Sequence, residues 1–512
     1  MNRSTFYKGG VILNKEQALS FLKEHLTKMN YLNSTLSIVS WDMEVMAPVN
    51  AIDYRSEVMG YLSGEYHLLA TEAKIKDALD ILATEESLTQ YEAKLVEHFK
   101  EWYEKSIKIP QSLQQELTVA TSKGSQYWKQ AKEQQNYDLF KPYLKRIVEL
   151  AVKQAECIGY KGHIYNAFLD DFEKGMTVEE LDRIFPPLRD GLVELLNKIK
   201  NSNQKDGQTH PSGLFDKERQ EKLSLMILDA MGYDYKNSGR VDEVEHPFTT
   251  TLGPKDVRIM THYYEDNLES AMFSSIHEGG HAIYEQNMPH ELAVYGIDDS
   301  PSMGIHESQS RFYENIIGRS LPFWRNFYPK LQAIFPEYKD VSLENFYRLI
   351  NQVNPSLIRT EADEVTYSLH VIIRYEIEKL LVSQAVEVDE LPALWNQKYE
   401  EYLGITPQND SEGVMQDVHW SEALIGYFPS YALGNLYGAQ FYHQMKKDIP
   451  DIEKQIELGQ LSSIYNWLKD RVHAYGNIYT PSELILHVTG EPLNPQYFID
   501  YLNEKYSKIY NF

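Results

Sequence analysis

Residues 266–281 read Asp-Asn-Leu-Glu-Ser-Ala-Met-Phe-Ser-Ser-Ile-His-Glu-Gly-Gly-His. Asp266 followed three residues later by Glu269 is a capping-box pattern, so a helix is expected to open here. On that helix His277 and His281, four residues apart, fall on one face and can grip one ion. Glu278 is turned by roughly 100° from His277, where it flanks the metal and can act on a water in the fourth position. Zinc lowers the pKa of such a water toward about 7; Glu278 would accept its proton and pass a proton to the departing amine. Gly279 and Gly280 each cost about 1 kcal/mol in a helix relative to alanine. Two together predict a close approach to this backbone by another segment.

A catalytic zinc needs a third protein ligand and an open position. Glu307 is the candidate. It follows His281 after a loop through Pro289 and Gly296, on a second helix expected over 303–319. His306 rivals it on chemistry alone; otherwise it belongs behind the ligands.

Outward from this motif, the chain reads as helical. Leu19, Leu22, Leu26 and Met29 recur at three and four, as do Leu144, Ile147, Ala151 and Ala155, with Val148 and Val152 widening the second stripe. Further helices are expected over 341–352, 360–385 and 389–402, with loops at 201–213, 404–418 and 426–430. Around the Gly253-Pro254 turn, residues 246–264 are rich in β-branched and aromatic residues and predict a small hairpin or sheet. The fold class expected is mainly α with a minor β element beside the metal helix. One unit spanning 1–512 is expected, with an N-terminal helical part (1–200) and a catalytic part (201–512).

The chain carries 50 basic and 75 acidic residues, a net charge of −25. That argues against a nucleic-acid partner, whose phosphates call for Lys and Arg. Cys157 is the only cysteine, so no intrachain disulfide can form. Residues 1–17 hold no apolar run of signal-peptide length, and no stretch of about 18 apolar residues suggests a membrane span. A cytoplasmic protein is expected.

Six further blocks stand in order around the metal motif: His246-Pro247-Phe248, Asp256-Val257-Arg258, His306-Glu307-Ser308-Gln309, Ile358-Arg359-Thr360-Glu361-Ala362-Asp363, Gly413 to Trp420, and Gly426 to Tyr431. With them the chain resembles the thermostable carboxypeptidase (Taq-type) family of zinc metallocarboxypeptidases. It departs at Met260, where the family's Asp-x-Arg-x-Thr motif has threonine; Thr261 follows. The resemblance implies a large helical metallopeptidase fold with a deep active-site groove and a small sheet at its wall. It implies release of single residues from peptide C-termini with broad specificity, and commonly a homodimer. It assigns one zinc per chain to His277, His281 and Glu307, and catalysis to Glu278. Cobalt or manganese is also compatible with this donor set.

A carboxypeptidase must hold a free carboxylate, which the planar fork of an arginine suits. Arg258 and Arg359 are the candidates. His419 is expected to contact the substrate backbone, and Tyr427 or Tyr431 to stabilise the oxyanion. His246 could close the groove. Asp363 and Asp417 are candidates for orienting a metal-bound histidine, and Gln309 for bracing Glu307. Two rival readings accompany this one: a zinc oligopeptidase or endopeptidase using the same site, and a helical binding scaffold with a structural metal.

Overall fold

The computed structural model describes residues 13–202, 211 and 213–512, so the N-terminal segment and most of the 201–213 loop lie outside the described residues. Two compact units emerge: Met1–Lys108 with Pro289–Asp299, and Ile109–Met288 with Ser300–Phe512. The residue-200 position expected to divide the chain falls inside the second unit.

Among the described residues, the first unit is built from four α-helices, Lys15–Val45, Ile52–Ala70, Ala73–Leu82 and Gln90–Lys108, with short turns of 3₁₀ helix at Val49–Ala51 and His290–Tyr295. Leu19, Leu22 and Met29 join Ile75, Leu79, Leu95 and Phe99 in its core, as their spacing predicts. Gly60 and Gly64 of the Ile52–Ala70 helix have nothing within 4 Å of where a side chain would begin.

The second unit is also mainly helical. The Leu144-to-Ala155 stripe is buried on the Tyr137–Ile158 helix. Its described residues include three strands, β1 (Gly239–Glu243), β2 (Phe248–Gly253) and β3 (Asp256–Thr261). The expected hairpin is β2–β3, antiparallel, with Thr249 opposite Ile259. The sequence signal missed β1, which joins β3 in parallel and gives the order β1-β3-β2. Its residues, Gly-Arg-Val-Asp-Glu, carry little strand signature. Met260, at the family's threonine position, is fully buried. Thr261 lies 3.4 Å, oxygen to oxygen, from Ser275.

The metal-motif helix runs Leu268–Gln286, and its cap is Asn267, one residue later than expected: the Asn267 side chain accepts the Ser270 N–H at 3.1 Å. The following helix, Met303–Arg311, continues into a π-helical stretch, Phe312–Ile317, marked by the Gly318 N–H reaching the Tyr313 carbonyl five residues back. The expected helix over 360–385 begins only at Tyr367. Before it, Asp363 accepts the backbone N–H groups of Val365 and Thr366 and the Thr366 hydroxyl, all at 2.9 Å, and so organises a turn. The loop expected at 426–430 is already helical from Phe428, with Pro429 in the first turn, where its missing N–H costs nothing.

Among the described residues, no helix is long and apolar enough to cross a membrane.

Candidate metal centre

The two glycines between the metal-motif histidines have separate neighbours. A methyl on Gly279 would meet the Leu228 side chain at 2.5 Å, and one on Gly280 the Gln309 carbonyl oxygen at 2.5 Å and Ser310 Cα at 2.7 Å. Helix Lys217–Met231 thus presses on one side and Met303–Arg311 on the other. Gly434 repeats the device: a methyl there would sit 2.7 Å from Glu307 Cγ. Glycine lets backbones approach this closely, and the approach brings Glu307 between two helices and up to the histidines.

His277 Nε2 lies 3.7 Å and His281 Nε2 3.4 Å from the same Glu307 oxygen, Oε2. The three residues offer ligand atoms all within 4.8 Å of one another. Donors about 2.0–2.2 Å from a tetrahedral ion stand about 3.4 Å apart, so two imidazoles and a carboxylate in this arrangement fit a divalent metal. His306 does not join them. Its Nε2 donates to Glu285 at 2.8 Å while its ring stacks on His281, centroids 4.4 Å apart.

Two of the three donors have a backing partner; the buried Nδ1 of His281 has none among the described residues. His277 Nδ1–H donates to Glu314 at 2.8 Å, leaving Nε2 unprotonated toward the other donors. Arg311 donates to Glu307 at 2.7 Å and to Glu314 at 3.2 Å, bridging the two carboxylates. Burial pushes the Glu307 carboxyl up, but Arg311 and the two histidines overcome it and hold it well below the usual range. Burial holds His281 neutral, its pKa pushed down to about 3 with His306 adding to the effect. For His277 burial also disfavours the cation, but Glu307 and Glu314 outweigh it and raise its pKa.

Glu278 is buried and points toward the sheet. The Thr249 hydroxyl of β2 reaches its Oε2 at 2.7 Å and its carbonyl at 3.1 Å. Two residues on, along the same strand face, Thr251 donates to Glu285. Desolvation raises the Glu278 carboxyl, against the pull of His277 and Thr249.

A second cluster adjoins the first. The Arg311 guanidinium stacks on the Tyr367 ring at 4.1 Å, and the Tyr367 hydroxyl accepts from Arg359 Nη1 at 3.0 Å. Arg359 lies over the Tyr431 ring at 4.8 Å. Tyr427, Tyr431 and Gly434 recur at four and three, so the segment that touches Glu307 also carries both tyrosines on that side. His419 Nε2 is 3.2 Å from the Tyr431 hydroxyl. Burial, with Arg359 and Arg374 adding to it and Asp417 opposing, brings His419 down to about 4, so it is neutral at pH 7. Its buried Nδ1 has no hydrogen-bond partner among the described residues.

Several expected partners are engaged elsewhere. Asp417 orients no metal-bound histidine: it is held by Arg359 at 2.9 Å and Arg374 at 2.6 Å. Asp363 serves the turn before Tyr367. Gln309 does not brace Glu307; it bonds His473 at 2.9 Å and Ser308. Arg258 turns its fork onto Asp256, with two bonds of 2.8 Å. His246 is exposed between β1 and β2. Glu314, Thr249 and Tyr367 were missed by motif reading. Only Arg311 had a signal, standing four residues after Glu307 as a helical ion pair does.

The family profile for Carboxypeptidase Taq (M32) metallopeptidases matches residues 21–506. The chain belongs to this family. It is therefore a metallocarboxypeptidase, a peptide hydrolase that uses a metal ion. Carboxypeptidase 1 of Bacillus subtilis is 44% identical over 487 residues, 95% of this chain and 97% of that one. Thermostable carboxypeptidase 1 of Thermus thermophilus is 37% identical over 97% of this chain and 100% of its own. Among solved structures, that of Pyrococcus furiosus carboxypeptidase superposes with a TM-score of 0.93 at 35% identity, covering 97% of this chain and 100% of that one. The fold expected for a Taq-type carboxypeptidase, helical with a small sheet, is the fold observed.

Proposed function

We propose that this metallocarboxypeptidase is a zinc enzyme that releases single C-terminal residues from peptides with broad specificity. One observation carries the reading: side chains run unbroken from Glu307 through Arg311 and Tyr367 to the buried Arg359 and Tyr431. Metal donors and a buried cation for a carboxylate thus share one connected wall.

His277, His281 and Glu307 would hold the ion. Zinc, when bound, supplies Lewis acidity that acidifies water and polarises a carbonyl. Glu278 accepts the proton of the attacking water on the oxygen that Thr249 does not hold, then returns it to the leaving amine. Tyr427 and Tyr431, whose phenols burial keeps protonated, offer donors to the oxyanion, and neutral His419 offers its unpartnered Nδ1 to the substrate backbone.

The Nε and Nη2 edge of Arg359 is filled by Asp417. A terminal carboxylate would therefore meet the Nη1 edge beside Tyr367 rather than an empty fork. Arg359→Ala is expected to lower kcat/KM on free-ended peptides about 100-fold and to abolish the preference over amidated ones; comparing the two substrates checks this. Arg258, similarly saturated by Asp256, and exposed His246 would act at the far end of a peptide. Glu314→Gln should weaken zinc binding about 10- to 100-fold, read by chelator competition.

Both units are taken as one enzyme, since the family match spans them. We further propose that it works in the cytoplasm as a homodimer. The deciding experiment is mass spectrometry of a peptide and its amidated twin incubated with the zinc-loaded protein. A ladder of single C-terminal losses from the free peptide alone is expected. Internal fragments from both would make it an endopeptidase. Unchanged peptides would favour the scaffold reading.

A further inference from the structure

Glu378 is fully buried on the Tyr367–Val382 helix, yet among the described residues no cation bonds its carboxylate. Arg374, one turn earlier, is committed to Asp417, Gln416 and the His370 carbonyl. Burying a carboxylate without an ionic partner is expensive unless most of its lone pairs are used. Here three neutral donors occupy three of its roughly four lone-pair sites: the Trp420 indole N–H reaches Oε1 at 2.7 Å, and the Gly426 backbone N–H and Tyr165 hydroxyl reach Oε2 at 2.9 and 2.6 Å.

Two of these donors stand at the two ends of one loop. Trp420 follows His419, and Gly426 precedes Tyr427. Between them the backbone turns through left-handed conformations at Ala423 (φ 60°) and again at Gly426 (φ 89°). The first costs about 1 kcal/mol or more for a residue with a side chain. At Gly426 a methyl would also meet the Phe168 carbonyl carbon at 2.7 Å. Such a loop needs an external hold. Both of its ends hang on one carboxylate from a neighbouring helix.

We propose that Glu378 is the positioning residue that fixes His419 and Tyr427 relative to each other and to the metal donors. The proposal rests on the roles given above to those two residues. A carboxylate is needed because both oxygens must accept. An amide in its place would turn its NH₂ toward either the indole N–H or the Gly426 N–H, donor against donor.

The test uses the full-length zinc-loaded enzyme with Glu378→Gln, Tyr427→Phe and the double variant. Glu378→Gln is expected to lower kcat 10- to 100-fold with KM within threefold and zinc content unchanged. Hydrogen exchange across 419–427 should quicken at least tenfold, with the metal-motif helix protected as before. In the double variant the two losses should not multiply, because Glu378 acts through Tyr427. Unchanged exchange in that loop, or losses that multiply, would overturn the proposal. If Tyr427→Phe alone retains full kcat, the oxyanion reading of Tyr427 fails while the positioning role is judged by the same cycle with His419→Ala. Should Glu378→Gln fail to fold, Trp420→Phe removes a single tie. It is expected to give the same pattern at smaller amplitude, and normal exchange and kcat in it would count against the proposal.

Discussion

Glu278→Gln is expected to lower kcat by about 10³-fold while zinc content and KM stay near those of the unaltered enzyme. General-base assistance contributes roughly 10²- to 10⁴-fold, and this substitution removes the proposed base alone. The amide matches the carboxylate in shape, and its oxygen can still accept the Thr249 hydroxyl that now reaches Glu278 at 2.7 Å. The histidines keep Glu307 and Glu314 as neighbours, so the metal donors stay in place. Steady-state kinetics beside metal analysis checks the split. A kcat within tenfold of normal, with zinc bound, would remove Glu278 from the mechanism.

Two glycine-to-alanine substitutions should act with opposite sign. At Gly280 the new methyl would press on the Gln309 carbonyl and Ser310 Cα, which are backbone atoms and cannot swing aside. The helix bearing Glu307 must retreat, at a cost of about 3 kcal/mol in stability, and zinc affinity should fall more than tenfold as the third donor moves. At Gly60 nothing lies within 4 Å. There alanine should stabilise by about 0.5–1 kcal/mol through helix propensity and the less flexible unfolded chain. Denaturant unfolding with chelator competition reads both. Equal effects at the two positions would show that the close approach at Gly280 does not govern the site.

The fold class was legible because helical periodicity is strong at residues such as Leu144 to Ala155, and the hairpin because β-branched residues flank a Gly-Pro turn. Strand β1 was not legible: its pairing with β3 is long-range, and its own residues favour no strand. The three candidate metal donors could be singled out because two sit at fixed helical spacing and the third lies in an ordered motif. Their supports could not. Thr249 and Glu314 reach Glu278 and His277 only through tertiary contact, and nothing in a sequence of threonines and glutamates distinguishes those two. Asp417 misled for a related reason. A carboxylate near motif histidines suggests a metal-side partner, but two buried arginines from elsewhere claim it first.

The π-helical stretch at Phe312–Ile317 can be read as history. A π turn carries one residue more than the α-helix around it. Taking that residue out would rotate everything on one side of the stretch by roughly 100° relative to the other, and Glu314, which lies inside it, would lose its place opposite His277. The contact between Glu314 and His277 thus depends on the length of this turn. A related chain without that extra residue would have to recruit a different acceptor for the His277 Nδ1–H, so the length of this turn serves as a marker for how the histidine is held.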